Sequence, residues 1–539
     1  MIFTNSKLKW FYLLSGLFIL LNSMLLVKEL YLGFLIPVAI VIALMYIFWL
    51  DKLMLLIVFL TPLSVNIADS ELGIGISLPA EPLMVGVMLL FLLKTLFNGK
   101  FDVRILKHPV TIVILINLVW LLITSITSEM PLVSFKFLLA RLWFVVPFYL
   151  LGITLFKDPR NITRFNWLYA AALVIVVVYT TLHHAEYAFA EKQGHWVMKP
   201  FYNDHTAYGA ILAFFLPVFT GYAFNKSRSR TYRLYALLIS VILLGALYLS
   251  FSRAAWVSLI FAIGVIVLIV YRIKFRWIFL GLIGLVAVFY IFENQILYAL
   301  EKNKQDSSAN FIEHVQSIYN ISSDASNLER INRWQSAFRM FSERPLLGWG
   351  PGTYQFIYAP FQRSKERTII STNAGDLGNA HSEYIGPLSE QGIPGLLSVF
   401  SLIVVILIYG IRVYRNAKDR QIRLFSLISV LALITYFVHG LLNNFLDTDK
   451  ASVPFWGFFA MIVAMDLYHK DKDQVYTEIP EDKPAGNLPA CQACLLLFIF
   501  CSFVTFYPGK CLTNAGISVK SSTFGQLVSS PEPSGQRIS

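Results

Sequence analysis

The residues in this chain best suited to chemistry are Arg253, in a short connection between two apolar runs, and Arg330 and His381, in the long polar insertion that precedes a later one. A guanidinium is planar and permanently charged, and its fork pairs bidentately with phosphate oxygens. An imidazole with an ordinary pKa of ~6.5 takes a proton from a hydroxyl near neutral pH. The three suit a reaction in which a phosphate-bearing group leaves and a hydroxyl attacks. Each also has a plainer account. Arg253 is equally a snorkelling edge arginine, Arg330 an exposed helix arginine competing with Arg333 and Arg339, and His381 a backbone-bonded residue at a helix N-terminus.

The elements that must hold these residues are membrane helices. The 539 residues are 57% hydrophobic and 14% charged, whereas soluble domains average about 25% charged. With a mean hydropathy of +0.63, the chain reads as a polytopic membrane protein rather than three or four soluble domains. The expected fold is all-α, a bundle of about 14 spans with one large outer loop, at roughly 20 residues per crossing. The expected spans are 10–27, 31–50, 53–67, 81–97, 110–128, 137–156, 166–184, 206–225, 234–251, 254–271, 277–293, 393–411, 424–442 and 453–468. Lys7 and Lys9 resemble the charged start of a signal peptide, but no clear small-residue cleavage site follows, so the first run is read as a retained span.

Orientation follows from the basic residues. Five alternate connections hold eighteen Lys and Arg, from Lys100 to Arg423, while the short connections between them hold only Lys28, Lys136, Lys192, Lys199, Arg253 and Lys450. Positive residues in short loops stay cytoplasmic, so both termini are expected there and the insertion at 294–392 on the far side, the periplasm in a Gram-negative cell. Dispersed among these loops, the formal charge of +12 reads as an orientation signal rather than a nucleic-acid surface. The resulting organisation is spans 1–11 in 1–293, the outer loop at 294–392, spans 12–14 in 393–470, and a disordered or interfacial cytoplasmic tail at 471–539. All four cysteines, Cys491, Cys494, Cys501 and Cys511, lie in that tail, which has no second CxxC or histidine pair to complete a zinc site.

Within the insertion, Ile331, Trp334, Phe338 and Phe341 fall on one helical face. This predicts a Trp-bearing amphipathic helix at the outer interface, stopped at Glu343-Arg344-Pro345 and followed by a tight turn at Gly348-Trp349-Gly350-Pro351-Gly352. The segment Arg367–Gly378 reads as a mobile loop. Arg141, a few residues into the sixth span, is either a snorkelling arginine or a further phosphate contact. Asn203 to Gly209, with His205, is either a helix cap or a substrate contact. Glu383 and Glu390 either orient His381 or are solvated. His183, His184, His195 and His205 share an outer loop, but no metal motif joins them.

Three places in this sequence resemble the bacterial O-antigen ligase and O-antigen polymerase superfamily. They are Ser252-Arg253-Ala254-Ala255-Trp256; Arg330-x-x-x-Trp334 followed by Pro345-Leu346-Leu347-Gly348-Trp349-Gly350; and His381-Ser382, nine residues, Gly392-x-x-Gly395. The resemblance covers roughly residues 205–440 and leaves the tail outside it. It implies an integral-membrane glycosyltransferase with no cofactor and no metal. The implied partners are the lipid bilayer, a polyprenyl-diphosphate-linked glycan donor, and a lipid A core or other glycan acceptor; nucleic acid is not among them. It also implies Arg253 and Arg330 on the diphosphate and His381 on the acceptor hydroxyl, in a single inverting displacement; the residues themselves, apart from the resemblance, make Arg333, Arg141, Glu383 and His205 candidates for further substrate contacts. The ligase pattern at His381 favours ligase over polymerase or a protein-glycosylating relative. A transporter or flippase would place charges and broken helices at mid-membrane, where this sequence has few. A scaffold or sensor would leave the arginines and the histidine without a purpose.

Overall fold

A computed structural model describes residues 5–28, 33, 35–67, 75–98, 101–271, 325–364 and 378–469. The chain divides into two compact units, Met1–Ala485 and Gly486–Ser539. The second unit, the expected eleventh span at 277–293, the start of the insertion and all but the last residue of the 367–378 segment lie outside the described residues.

The described helices are α1 (Asn5–Val27), α2 (Leu35–Phe48), α3 (Leu50–Leu60), α4 (Ala80–Asn98), α5 (Pro109–Ile126), α6 (Pro131–Leu155), α7 (Pro159–Ala185), α8 (His205–Ala223), α9 (Arg230–Leu249), α10 (Arg253–Val270), α11 (Ala325–Glu343), α12 (Ile385–Asn416), α13 (Arg420–His439) and α14 (Asp449–Tyr468). Among the described residues, ten are long and apolar enough to cross a membrane, namely α4 to α10 and α12 to α14. This is a polytopic helical membrane protein.

Local signals in the sequence start these helices. Pro109, Pro131 and Pro159 sit in the first turn, where a missing N–H costs nothing. Asp158, Asp204, Ser229 and Asp419 accept from first-turn amides as side-chain caps. The expected third span, 53–67, does not form as one helix. Only Trp49 separates α2 from α3, and α3 ends in a tight turn over Thr61–Leu63. The chain then enters a two-stranded antiparallel hairpin in which Val65 to Ile67 pairs with Leu78 to Ile76. A one-residue joint is too short for the usual return between antiparallel helices, which takes about 2–5 residues.

The core lies around α14, whose span is 83% buried, and α13, at 72%; α9 and α10 are peripheral at 28%. It is built of aromatic side chains: Tyr169 stacks on Phe215 at 4.4 Å, and Phe214 meets Phe458 edge-on at 4.8 Å. Helix α8 packs against α9, α10 and α13, while α12 packs against α5, α11 and α13. One end of the bundle therefore gathers the start of α8, α10, α12 and α14 and the end of α13.

Candidate functional site

The motif from His381 to Gly395 is the start of α12, broken once. Gly392 has φ 71° and ψ −167°, which interrupts the helix, and four of the backbone groups around it find partners outside the helix. The Ile393 N–H, which would reach back to Ser389, donates to the Pro345 carbonyl at 2.9 Å instead. The Ser389 carbonyl accepts from Trp349 N–H at 3.3 Å, and the Glu390 carbonyl, which Pro394 cannot serve, accepts from Gly350 N–H at 2.8 Å. Trp120 Nε1–H donates to the Gln391 carbonyl at 2.9 Å. Buried backbone groups need such partners, so the Pro345–Gly352 stretch and the Gly392–Gly395 stretch form one interlocked unit.

The contact is backbone on backbone. A Cβ on Gly392 would stand 2.2 Å from the Leu346 carbonyl oxygen, and one on Gly348 would stand 2.2 Å from the Glu390 carbonyl carbon. Both glycines also have positive φ. The nine-residue spacing thus measures the short helical segment between the Ser382 turn and the kink.

His381 precedes that segment with φ 48°, in the left-handed region. The Asn379 side chain holds it there by accepting the His381 N–H at 3.0 Å. Ser382 Oγ accepts from the Tyr384 and Ile385 amides, both at 3.3 Å, and so caps the first turn. Arg330 and Arg333 face His381, with Asp204 and Glu329 as opposing charges. Burial, then the Arg330 and Arg333 charges, lowers the imidazole from 6.5 to about 4. His381 is therefore neutral at physiological pH.

Helix α11 ends at Glu343, as its sequence predicts, but the face it buries is not the apolar one. Glu329, Asn332, Arg333, Ser336, Ala337 and Met340 are buried, whereas Phe338 is 46% exposed. The polar face packs on α12 because its charges are paired within the site. Arg333 Nε donates to Glu329 Oε1 at 2.9 Å, and Nη1 to the Asn379 carbonyl at 3.4 Å. Its guanidinium lies 5.0 Å over the Tyr358 ring. Arg333 is thus engaged in fixing the turn that presents His381, while Arg330 is also in electrostatic reach of His205 and His439.

Three further groups join this cluster. His205, the first residue of α8, stacks on His195 at 4.3 Å and faces Asp204 and Arg330. Asp204 is the cap of α8, its Oδ1 accepting from the Thr206 and Ala207 amides at 2.7 and 2.8 Å. His439, the last residue of α13, is 1% exposed and faces Asp204, Arg330, His205 and the Ala254 backbone. The Ala254 contact brings the start of α10, and with it Arg253, to the same place. Sequence reasoning missed His439. Its signal was the polar connection that it opens, with Asn443, Asn444, Asp447, Asp449 and Lys450 within a dozen residues.

Arg141 and Glu383 lie apart from this cluster, on the wall of a cavity of about 340 Å³ whose lining does not include His381, Arg253 or Arg330. Arg141 is in electrostatic reach of Glu383 and Asp447 and lies 5.4 Å over the Phe137 ring. Glu383 Oε1 accepts from Tyr436 Oη–H at 2.7 Å and from the Phe445 and Leu446 amides at 2.7 and 2.9 Å. Glu383 therefore clamps the α13–α14 connection rather than orienting His381. Burial and the Glu383 charge push the Asp447 carboxyl up to about 6. The turn from Asn379 to Tyr384 separates the two regions, His381 facing the arginines while its neighbours line the cavity.

Residues 238–400 match the family model described as O-antigen ligase. That range contains Arg253, Arg330 and His381 together with the interlocked glycine turns. This match supports a member of the O-antigen ligase and polymerase superfamily. The comparison with curated proteins finds no match. Arg141, His205, His439 and Asp447 lie outside the range that defines the O-antigen ligase match, and it is the packing of α6, α8 and α13 that brings them to it.

Proposed function

We propose that the chain is a ligase of this superfamily. In this reading it transfers a glycan from a polyprenyl diphosphate carrier to a sugar hydroxyl of a lipid A core, on the outer face of the bacterial inner membrane. The observation that carries the reading is the convergence of His381 and Arg330 in one charged cluster, beside the N-termini of α8 and α10. Helix N-termini and arginine forks both favour a diphosphate. His381 is neutral, so its imidazole is free to accept a proton.

The proposed reaction is a single inverting displacement. The acceptor oxygen forms a bond to the anomeric carbon while the bond from that carbon to the diphosphate oxygen breaks. The hydroxyl proton passes to His381, and the negative charge that develops on the departing polyprenyl diphosphate is met by Arg253 and Arg330. Bound diphosphate also offsets the two arginine charges that hold His381 low, so the donor itself makes His381 a stronger base. Arg333 acts by positioning, through the Asn379 carbonyl.

The test is to replace His381 and Arg330 separately. His381→Ala is expected to retain lipid-linked glycan and fail in transfer, with a loss of about 10²–10⁴ in rate, whereas Arg330→Ala is expected to lose donor retention. Transfer at the parental rate by His381→Ala would remove the histidine from the mechanism. In a deletion strain, unligated lipid-linked polymer indicates the ligase, single repeats on lipid A indicate a polymerase, and unchanged surface glycans sink both.

A further inference from the structure

The end of the bundle opposite His381 carries a basic patch that the transfer chemistry does not use. Helix α8 runs from His205 to Ala223 and α13 from Arg420 to His439; with His205 and His439 at the site, Ala223 and Arg420 lie at the other end. Packing brings two distant stretches of sequence together there. The Tyr222 ring lies 6.0 Å from Tyr232, in the first turn of α9, and 6.2 Å from Phe425, near the start of α13. The α8–α9 connection presents Lys226, Arg228 and Arg230, and the α12–α13 connection presents Arg415, Arg420 and Arg423, all exposed. The one acidic residue in 224–233 and 411–423 is Asp419, which is taken up in capping α13 through the Gln421 amide at 2.7 Å.

Orientation in a membrane depends on how many basic residues each connection holds. Their assembly into one patch is a further property of the fold, and like charges held together repel. Most of these cations are arginines, whose forks pair bidentately with phosphate. Arg228 lies 5.6 Å over the Tyr232 ring and Arg423 5.6 Å over Tyr414, contacts that use the flat face of the guanidinium and not its N–H edge. Next to the cations, Phe224 is 74% exposed, and Leu234 and Tyr235 are exposed near the start of α9. Nucleic acid or an acidic peptide would match the charge and leave these apolar side chains in water. An anionic phospholipid sets its phosphate on the arginines and its acyl chains on the apolar side chains.

We propose that the paired α8–α9 and α12–α13 connections form a binding site for an anionic phospholipid, with Arg228, Arg420 and Arg423 on the phosphate and Phe224 against an acyl chain. The site is independent of the transferase reading, since it lies at the other end of the bundle and takes no glycan.

The experiment uses the full chain in dodecyl maltoside with phosphatidylglycerol, phosphatidylcholine and glycerol 3-phosphate as probes, read by native mass spectrometry of the retained molecules. Phosphatidylglycerol is expected to bind at least about tenfold more tightly than phosphatidylcholine. Each cation near an anionic lipid is worth about fivefold in affinity, so the combined Arg228→Gln, Arg420→Gln, Arg423→Gln chain should lose at least about twentyfold. Replacing three exposed lysines elsewhere, Lys52→Gln, Lys94→Gln and Lys107→Gln, removes the same charge and should change binding by less than about twofold. Should the first triple variant not fold, Arg423→Gln alone is expected to weaken phosphatidylglycerol about fivefold. Phe224→Ser should weaken it by about the same factor through lost acyl-chain contact. Equal retention of the two phospholipids, or equal losses in the two triple variants, overturns the proposal and leaves only the general positive charge of the protein. Retention of glycerol 3-phosphate as strong as that of phosphatidylglycerol overturns it in favour of a soluble phosphate. Displacement of bound phosphatidylglycerol by an equal concentration of a single-stranded oligonucleotide or of polyglutamate overturns it in favour of a polyanion.

Discussion

The Gly350 N–H donates to the Glu390 carbonyl at 2.8 Å, the carbonyl that Pro394 leaves without its helical partner. This bond joins two motifs that are forty residues apart in the sequence and holds the helical segment that begins behind His381.

Gly392→Ala should break that joint. The new Cβ would stand 2.2 Å from the Leu346 carbonyl oxygen at a φ of 71°, so a loss of about 2–4 kcal/mol is expected, read as a lower thermal midpoint together with lost transfer. Trp120→Phe, which withdraws the donor to the Gln391 carbonyl and shrinks the ring, should cost about 1–3 kcal/mol and leave transfer near the parental rate.

Arg330 and Arg333 should fail differently although they are three residues apart. Arg333→Ala leaves Glu329 buried without the partner it holds at 2.9 Å, a cost of about 3–5 kcal/mol, visible in thermal unfolding without substrate. Arg330→Ala should show its main effect in retention of lipid-linked glycan. Equal loss of stability in both variants would count against this division.

His381 gives a pH signature with a definite sign. Burial, Arg330 and Arg333 hold it near 4, and protonation removes the base, so kcat/KM for the donor should keep its neutral-imidazole value down to about that pH. In the donor complex the diphosphate offsets the arginines and raises His381, so kcat should begin to fall at a higher pH than kcat/KM. The folded-state value is depressed, so the related stability is present above 6.5 and declines as pH falls toward 4. Coincident acid limbs in the two rate profiles would contradict diphosphate binding beside His381.

Glu383→Gln keeps an acceptor oxygen for Tyr436 and the Phe445 and Leu446 amides but removes the charge. The Asp447 carboxyl, raised to about 6 by burial and by Glu383, should move down toward the ordinary carboxylate range, as followed by carboxyl infrared absorption. Glu383→Ala should in addition speed hydrogen exchange at Phe445 and Leu446, whose amides donate to Glu383.

Topology can be tested with little background, because no cysteine precedes Cys491. Single cysteines in the Lys226–Arg233 and Arg412–Arg423 connections should be labelled only from the cytoplasm, and one at exposed Gln335 only from outside. Labelling of Gln335 from the cytoplasm would overturn both the orientation and the outward-facing site.

By itself the sequence determined the membrane class, most of the long spans, and the spacing of the His381 and glycine motifs, because these are local properties of hydropathy, capping and turn chemistry. It indicated where α11 stops, since Pro345 acts on the residue before it. It misled on which face of α11 is buried, because apolar periodicity assumes burial against apolar surroundings, while Glu329 and Arg333 are buried by pairing with each other and with the Asn379 turn. It also misled at 53–67, where a run hydropathic enough for a span folds as a short helix and a hairpin. Only the tertiary structure decided that Arg141 and Glu383 line a cavity separate from His381, and that His439 joins the arginine cluster. Both results depend on how α6, α8, α10, α12 and α13 pack. Charges and hydrogen bonds between residues distant in the chain are set by that packing and leave no periodic trace in the sequence.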